Sequence, residues 1–145
     1  MKRLLSRQLA GLVAVMGLCS FLGCGNSLPP LVPVSGKVTL DGKPFTEGSV
    51  NLIPEDTKLG GLAILGSIDS TGQYSITTNG KEGAPEANYK AIVTAPSKVD
   101  PKAKKGALPE PPFDKKYSNI TKTTLGFTVT ANAAPGAYDL KLTKK

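Results

Sequence analysis

Few side chains in this 145-residue sequence are of a type and spacing that could do chemistry. There is no histidine, so the common acyl-transfer arrangements lack their base. The two cysteines, Cys19 and Cys24, both fall near the N-terminus. Zinc sites draw on clusters of Cys and His, and the sequence offers none. Glu55-Asp56 is the one adjacent acidic pair, and it reads as a solvated loop. A glycosidase needs two carboxylates at a set separation across a cleft. Asp41, Asp69 and Asp100 are far apart in sequence and could serve only if the fold happened to bring them together. No calcium loop of the D-x-D-x-D-G type is present. Asn119-Ile120-Thr121 fits a glycosylation sequon and is read as chance. The expectation is a chain without catalytic residues, metal or cofactor.

Lysine is the other chemistry on offer. The chain carries 18 Lys plus Arg against 11 Asp plus Glu. Three of the cations, Lys2, Arg3 and Arg7, stand at the start, and every later cation is a lysine. Residues 98–122 concentrate them: Lys98, Lys102, Lys104, Lys105, Lys115, Lys116 and Lys122 against Asp100, Glu110 and Asp114. Pro101, Pro109, Pro111 and Pro112 interrupt the same stretch. It therefore reads as a long irregular loop at about 96–122, of a length that is often functional or disordered. One reading is a basic arm that meets anionic headgroups, an acidic polymer or a partner, with Lys98, Lys102, Lys104, Lys105, Lys115 and Lys116 as its contacts. The other is a solvated loop kept soluble by lysine. Nucleic acid is not expected as a partner, because arginine is missing after Arg7 and only Phe113 and Tyr117 could stack on bases.

The N-terminus has the pattern of an export signal. Lys2, Arg3 and Arg7 make a positive start, and Leu9 to Gly23 is apolar or small throughout. That run is shorter than the about 20 residues a membrane-spanning helix needs, and its length and flanks suit a signal-peptide core. It ends in Phe21-Leu22-Gly23-Cys24, which resembles the lipobox of bacterial lipoproteins. The resemblance implies cleavage before Cys24 and a diacylglycerol thioether on its sulfur. Phe21 stands where leucine is usual; Gly23 fits the need for a small residue beside the scissile bond. Cys19 would leave with the signal, so no disulfide is expected in the mature chain. Residues 24–33, with Pro29, Pro30 and Pro33, read as the lipidated cysteine and a short stiff tether. The expected location is the cell envelope, exported and held to a membrane through Cys24, with the outer membrane or cell surface favoured over the cytoplasm.

The remaining residues, 34–145, must position whatever site exists, and they alternate with period two. Val34, Gly36, Val38 and Leu40 share one face, and Asp41-Gly42 then marks a tight turn. Val50 and Leu52 form a second run, and Ile64 with Ile68 a third. Asp69 to Gly72 reads as a turn in which the aspartate caps its own backbone. Tyr74 with Ile76, Tyr89 to Val93, Phe127 with Val129, and Tyr138 to Leu142 complete the set. Seven such runs, with 16 Gly and 12 Pro between and around them, predict an all-β, seven-stranded Greek-key β-sandwich. Tyr74, Tyr89 and Tyr138 each begin a strand. They are expected to pack in the core with a hydroxyl reaching the rim.

Several of these runs resemble one family. Val34-Ser35-Gly36-Lys37-Val38 followed by Asp41-Gly42-Lys43-Pro44 is similar to the opening hairpin of the carboxypeptidase regulatory-like domains. Their fold is a transthyretin-like, or prealbumin-like, sandwich. Gly48 to Pro54 resembles the next strand, and Asp69-Ser70-Thr71-Gly72-Gln73-Tyr74 its turn. Pro135-Gly136-Ala137-Tyr138 shows the family's Pro-Gly-x-Tyr step, whereas Pro85-Glu86-Ala87-Asn88-Tyr89 has lost the glycine. Short bacterial lipoproteins of this layout carry a late segment like Lys116-Tyr117-Ser118. The resemblance implies a fold and accessory binding or structural roles, and no ligand. Hydrolases of the wider transthyretin-like group use His, Arg and a Tyr-Arg-Gly-Ser ending; this chain ends Leu142-Thr143-Lys144-Lys145. The leading functional reading is thus a membrane-anchored, non-catalytic binding or structural module with an envelope protein or polymer as its partner. A carbohydrate- or anionic-polymer-binding module is the alternative, and an unrecognised hydrolase a third.

Overall fold

The structure of the protein, a computed structural model, describes residues 28–96 and 110–145. Residues 1–23, Cys24, Lys98, Lys102, Lys104 and Lys105 lie outside the described residues. The chain comes in through strand β1 (Leu31–Val32) and runs into β2 (Ser35–Leu40), which turns back as β3 (Lys43–Pro44). Strands β4 (Ser49–Pro54) and β5 (Ile64–Ser67) follow, joined through a 3-10 turn at Thr57–Leu59. Then come β6 (Gln73–Ser75), β7 (Thr77–Thr78), β8 (Lys81–Glu82), β9 (Ala84–Pro85) and β10 (Asn88–Thr94). A second 3-10 turn at Lys115–Ser118 precedes β11 (Gly126–Thr128) and β12 (Leu140–Leu142). Among the described residues there is no α-helix.

Two sheets face each other across one core. The larger has the order β11-β10-β4-β5-β7-β8 and is antiparallel throughout. In the smaller, β2 is central: β12 lies parallel to it on one side, and β3 and β6 pair with it antiparallel on the other. A separate two-stranded ribbon joins β1 to β9. Val38, Leu140 and Leu142 of the smaller sheet and Val50, Leu52, Ala91 and Val93 of the larger are at most 3% exposed and belong to one hydrophobic cluster. The all-β sandwich expected from the alternation is therefore what forms.

Local chemistry explains the corners. Asp41 and Gly42 both have positive φ, 49° and 79°, as a two-residue hairpin requires when its twist must match that of its strands. Asn79 and Gly80 repeat the device between β7 and β8. The chain changes sheets at Ile76, whose N–H bonds to the Val34 carbonyl while its own carbonyl accepts from Gly83 N–H. This is why a single alternating run in the sequence becomes two strands, β6 in one sheet and β7 in the other.

Two boundaries differ from expectation. Leu31 and Val32, read as tether, pair with Pro85 and Ala84 and so belong to the fold. Within residues 110–122, read as part of a long irregular loop, the 113–117 segment is anchored in the core while 118–122 are exposed. Phe113 and Tyr117 are buried, and Phe113 stacks edge-on against Phe45 with ring centroids 5.5 Å apart. Asp114 N–H bonds to the Thr143 carbonyl. Two aromatic side chains are enough to fix a segment whose average composition is that of a loop.

The fold has two distinct ends. β2 and β10 both start near β1 and β9 and run to the far end, where the Asp41-Gly42 hairpin, Gly48 and Thr94 meet. Pro96 follows β10 there, and Phe113 is held there by Phe45 and Thr143. Pro96 and Phe113 therefore lie at the end opposite Leu31.

Candidate functional site

The polar groups that could do chemistry are engaged in holding backbone. All five aspartates of the described residues accept main-chain N–H bonds. Asp69 Oδ1 takes bonds from Thr71 N, Thr71 Oγ1 and Gln73 N, closing the turn before β6. Those bonds, the Thr71 hydroxyl first, keep its carboxyl below the ordinary aspartate range. Asp139 Oδ1 accepts from Lys37 N at 2.8 Å and Asp41 Oδ1 from Lys144 N at 3.2 Å. Asp56 and Asp114 each cap the 3-10 turn that follows them.

The tyrosines follow the expected pattern of buried ring and anchored hydroxyl. Tyr89 donates to the Pro85 carbonyl at 2.8 Å, four residues upstream, which pins the corner into β10. Tyr74 donates to the Tyr138 carbonyl at 2.5 Å, bridging the flank of β2. Tyr138 donates to the Thr130 carbonyl at 3.2 Å. Burial pushes the Tyr89 phenol up to about 12, and that of Tyr74 higher still.

Of the lysines singled out by sequence, Lys115 and Lys116 are described, and each has a local partner. Lys115 Nζ pairs with Glu110, which lowers the glutamate's pKa below its usual value. Lys116 Nζ lies 3.7 Å from Asp114 Oδ2 and 4.8 Å above the Tyr117 ring. They are thus tied down beside the far end and not part of a free arm. Phe113 and Tyr117, the two candidate stacking rings, are only 3% and 5% exposed. The described residues carry 11 lysines and ten acids, close to neutral, whereas residues 97–109 carry four lysines and one acid. Over residues 28–145 the excess positive charge therefore resides chiefly in residues 97–109.

Two shallow depressions mark the surface. One of about 390 Å³ lies around Gly126, between Lys90, Asn88, Glu55 and Thr128. The other, about 340 Å³, lies beside the incoming chain between Val32, Pro33, Ala133, Pro135 and Tyr138, with no charged residue in its lining. Among the described residues no group of three or more His, Cys, Asp or Glu could hold a metal ion.

No family model, curated protein or solved structure matches this chain.

One surface was not anticipated. On the outside of the six-stranded sheet, Ile53 and Leu65 are 39% and 42% exposed, and Ile92 is partly buried on the same face. The signal was present in the sequence. Ile53, Leu65 and Ile92 are apolar residues in the polar phase of strands β4, β5 and β10.

Proposed function

We propose that this chain is an envelope lipoprotein, anchored through Cys24, whose β-sandwich is a non-catalytic binding or structural module of the carboxypeptidase regulatory-like, transthyretin-like kind. The observation that carries the non-catalytic reading is the use of every described aspartate as a backbone cap. Asp69, held by the Thr71 hydroxyl and two backbone N–H groups, has its carboxyl pKa lowered and is a poor proton shuttle at neutral pH. What supports anchoring is the Phe21-Leu22-Gly23-Cys24 sequence and the few residues between Cys24 and β1. Labelled palmitate should enter the wild-type chain and not Cys24→Ala, which should partition away from membranes. The purified protein should show no turnover of generic ester, glycoside or peptide substrates. Turnover abolished by one carboxylate substitution would overturn the non-catalytic reading.

The second reading is an anionic-polymer-binding module. It is favoured by the lysines of residues 97–109, Lys98, Lys102, Lys104 and Lys105, and by the place of the flanking Pro96 and Phe113 at the end of the sandwich away from Leu31. Such a stretch would address an acidic polymer beyond the anchoring bilayer more readily than the headgroups beneath it. Dextran sulfate should then bind with strong salt dependence, and the triple change of Lys102, Lys104 and Lys105 to Gln should remove that binding. Binding that ignores salt or the triple change would end this reading.

A further inference from the structure

We propose that the end of the sandwich where the chain comes in is seated on the bilayer that carries the Cys24 lipid, through an uncharged surface formed by residues 28–33 and 130–137. That seat rests on the anchored reading and goes beyond it, since an anchor alone leaves the body free to hang on its tether. Covalent length sets the first limit. Leu28 is four residues after Cys24, so even a fully extended chain holds it within about 14 Å of the lipidated residue. Leu28 and Pro29 are already partly buried, and Leu31 and Val32 pair with Pro85 and Ala84. β2 then carries the chain about 20 Å toward the far end. The surface around residues 28–33 is therefore the part of the fold that a lipid on Cys24 keeps nearest the membrane.

Composition sets the second. Residues 28–33 read Leu-Pro-Pro-Leu-Val-Pro, and residues 130–137 read Thr-Ala-Asn-Ala-Ala-Pro-Gly-Ala. Neither holds a charged side chain, although one residue in five of the whole sequence is charged. The structure brings the two segments together, because Val32, Pro33, Ala133, Pro135 and Tyr138 line one depression of about 340 Å³. Every residue of 130–137 except Ala133 is exposed. An exposed surface without charge can enter the headgroup region at little cost, whereas a charged one would have to give up its water. The two acids on the border are engaged elsewhere: Glu86 Oε1 accepts from Ala131 N–H and Asp139 Oδ1 from Lys37 N–H, both at 2.8 Å.

The loop is also fixed in shape before it meets lipid. The Tyr138 hydroxyl accepts from Thr130 N–H and donates to the Thr130 carbonyl, both at 3.2 Å, which closes the two ends of the loop on each other. Ala137 N–H bonds to the Ala134 carbonyl within it. A surface already ordered loses little conformational freedom when it docks. No lysine lies in the contact, so the seat is insensitive to salt. A body laid on its side by the lysines of residues 97–109 would instead be released by salt.

The test is fluorescence quenching in phosphatidylcholine vesicles with brominated acyl chains, into which the full chain purified from membranes is reconstituted. One fluorophore is attached to a cysteine introduced either at Ala134→Cys, in the contact, or at Ser70→Cys, in the exposed turn beside the far end. The Ala134→Cys label should lose most of its emission to bromine and the Ser70→Cys label little, in low and high salt alike. Adding Asn132→Asp and Ala137→Asp to the Ala134→Cys chain puts charge at two exposed positions of the contact and should restore most of that emission. Circular dichroism reports that each variant keeps its fold. Equal quenching of the two labels, quenching at Ala134 that salt abolishes, or quenching indifferent to the two aspartates would overturn the proposal. Self-quenching between Ala134→Cys labels in place of bromine quenching would give the surface to a second copy and overturn it too. Palmitate labelling of the same preparation tells the two failures apart. A palmitate-labelled chain whose Ala134→Cys label escapes bromine leaves the anchor standing and removes the seat; a chain that takes up no palmitate removes the anchor, and the seat with it.

Discussion

Tyr74 is a core residue with one polar atom, and that atom has one protein partner, the Tyr138 carbonyl. Tyr74→Phe removes the donor and leaves that carbonyl buried without it, so the expected loss is about 1–3 kcal/mol in denaturant unfolding. Tyr89 makes the equivalent bond to Pro85, and burial raises its phenol to about 12. The folded state holds that proton more tightly than the unfolded chain does. Its contribution is therefore intact below pH about 10 and is lost as pH climbs toward 12. Alkaline titration followed by ultraviolet absorbance should show Tyr74 and Tyr89 ionising only as the chain unfolds. Asp69 works in the opposite sense. Its folded pKa lies below the unfolded value of 3.8, so its share of stability is present at neutral pH and drains away as pH falls below about 4. Asp69→Asn should flatten that acid limb, and an unchanged limb would mean that the turn bonds do not favour the charged form. The burial of the tyrosines was legible from their places at strand starts. The carbonyls they reach were not, because those depend on how the two sheets are superposed.

At the scale of elements, side chains complete what short strands leave unfinished. Beyond β11, the Thr123 and Ser118 hydroxyls bond to the Ala91 and Val93 carbonyls, so the second half of β10 is covered by side chains instead of a strand. Ser118→Ala should cost about 1 kcal/mol and raise hydrogen exchange along β10 specifically. Gly36 is a second such place. A Cβ there would run into the Tyr138 carbonyl and crowd the Tyr74 ring. Gly36→Ala should therefore destabilise by about 1–3 kcal/mol through overpacking, with Tyr74→Phe in the same background adding less than it does alone. Each of the seven alternating runs contains a strand, though Ile76, Val129 and Tyr138 fall outside it, and Tyr138 stands in the turn before β12 and not at a strand start. The two-residue strands β1, β3, β7, β8 and β9 carry too few residues for any period to be read. Asn79-Gly80 carries the same hairpin chemistry between β7 and β8, a signal the sequence reading passed over. Phe113 and Tyr117 were hidden by the lysines and prolines around them, since composition over a window averages away two decisive aromatics.

At the scale of the molecule, one hydrophobic cluster reaches from β2 and β12 to β4, β5 and β10 and includes Phe45, Phe113 and Tyr117. A single core predicts a single unfolding transition. Phe113→Ala, about 3–5 kcal/mol from lost burial and an aromatic contact, should shift that whole transition and not detach one segment. Two separate transitions would show that the 110–118 segment docks onto a sandwich already complete without it. The division of charge is also molecular in scale. The described residues are nearly neutral and the excess lysine lies in residues 97–109, so salt should tune any binding by those lysines while leaving folding stability little changed.

The parallel pairing of β2 with β12 has a mechanical consequence. The chain enters at one end of β2 and leaves at the opposite end of β12. Tension between the two termini pulls these neighbours past each other, so the bonds joining Val38–Leu40 to Leu140–Leu142 carry the load together and must rupture together. The β1–β9 ribbon is loaded earlier and holds only two residue pairs. Under force it opens first and releases about 10 Å of chain from residues 31–33. A pull on the N-terminus thus meets a compliant link before a rigid clamp.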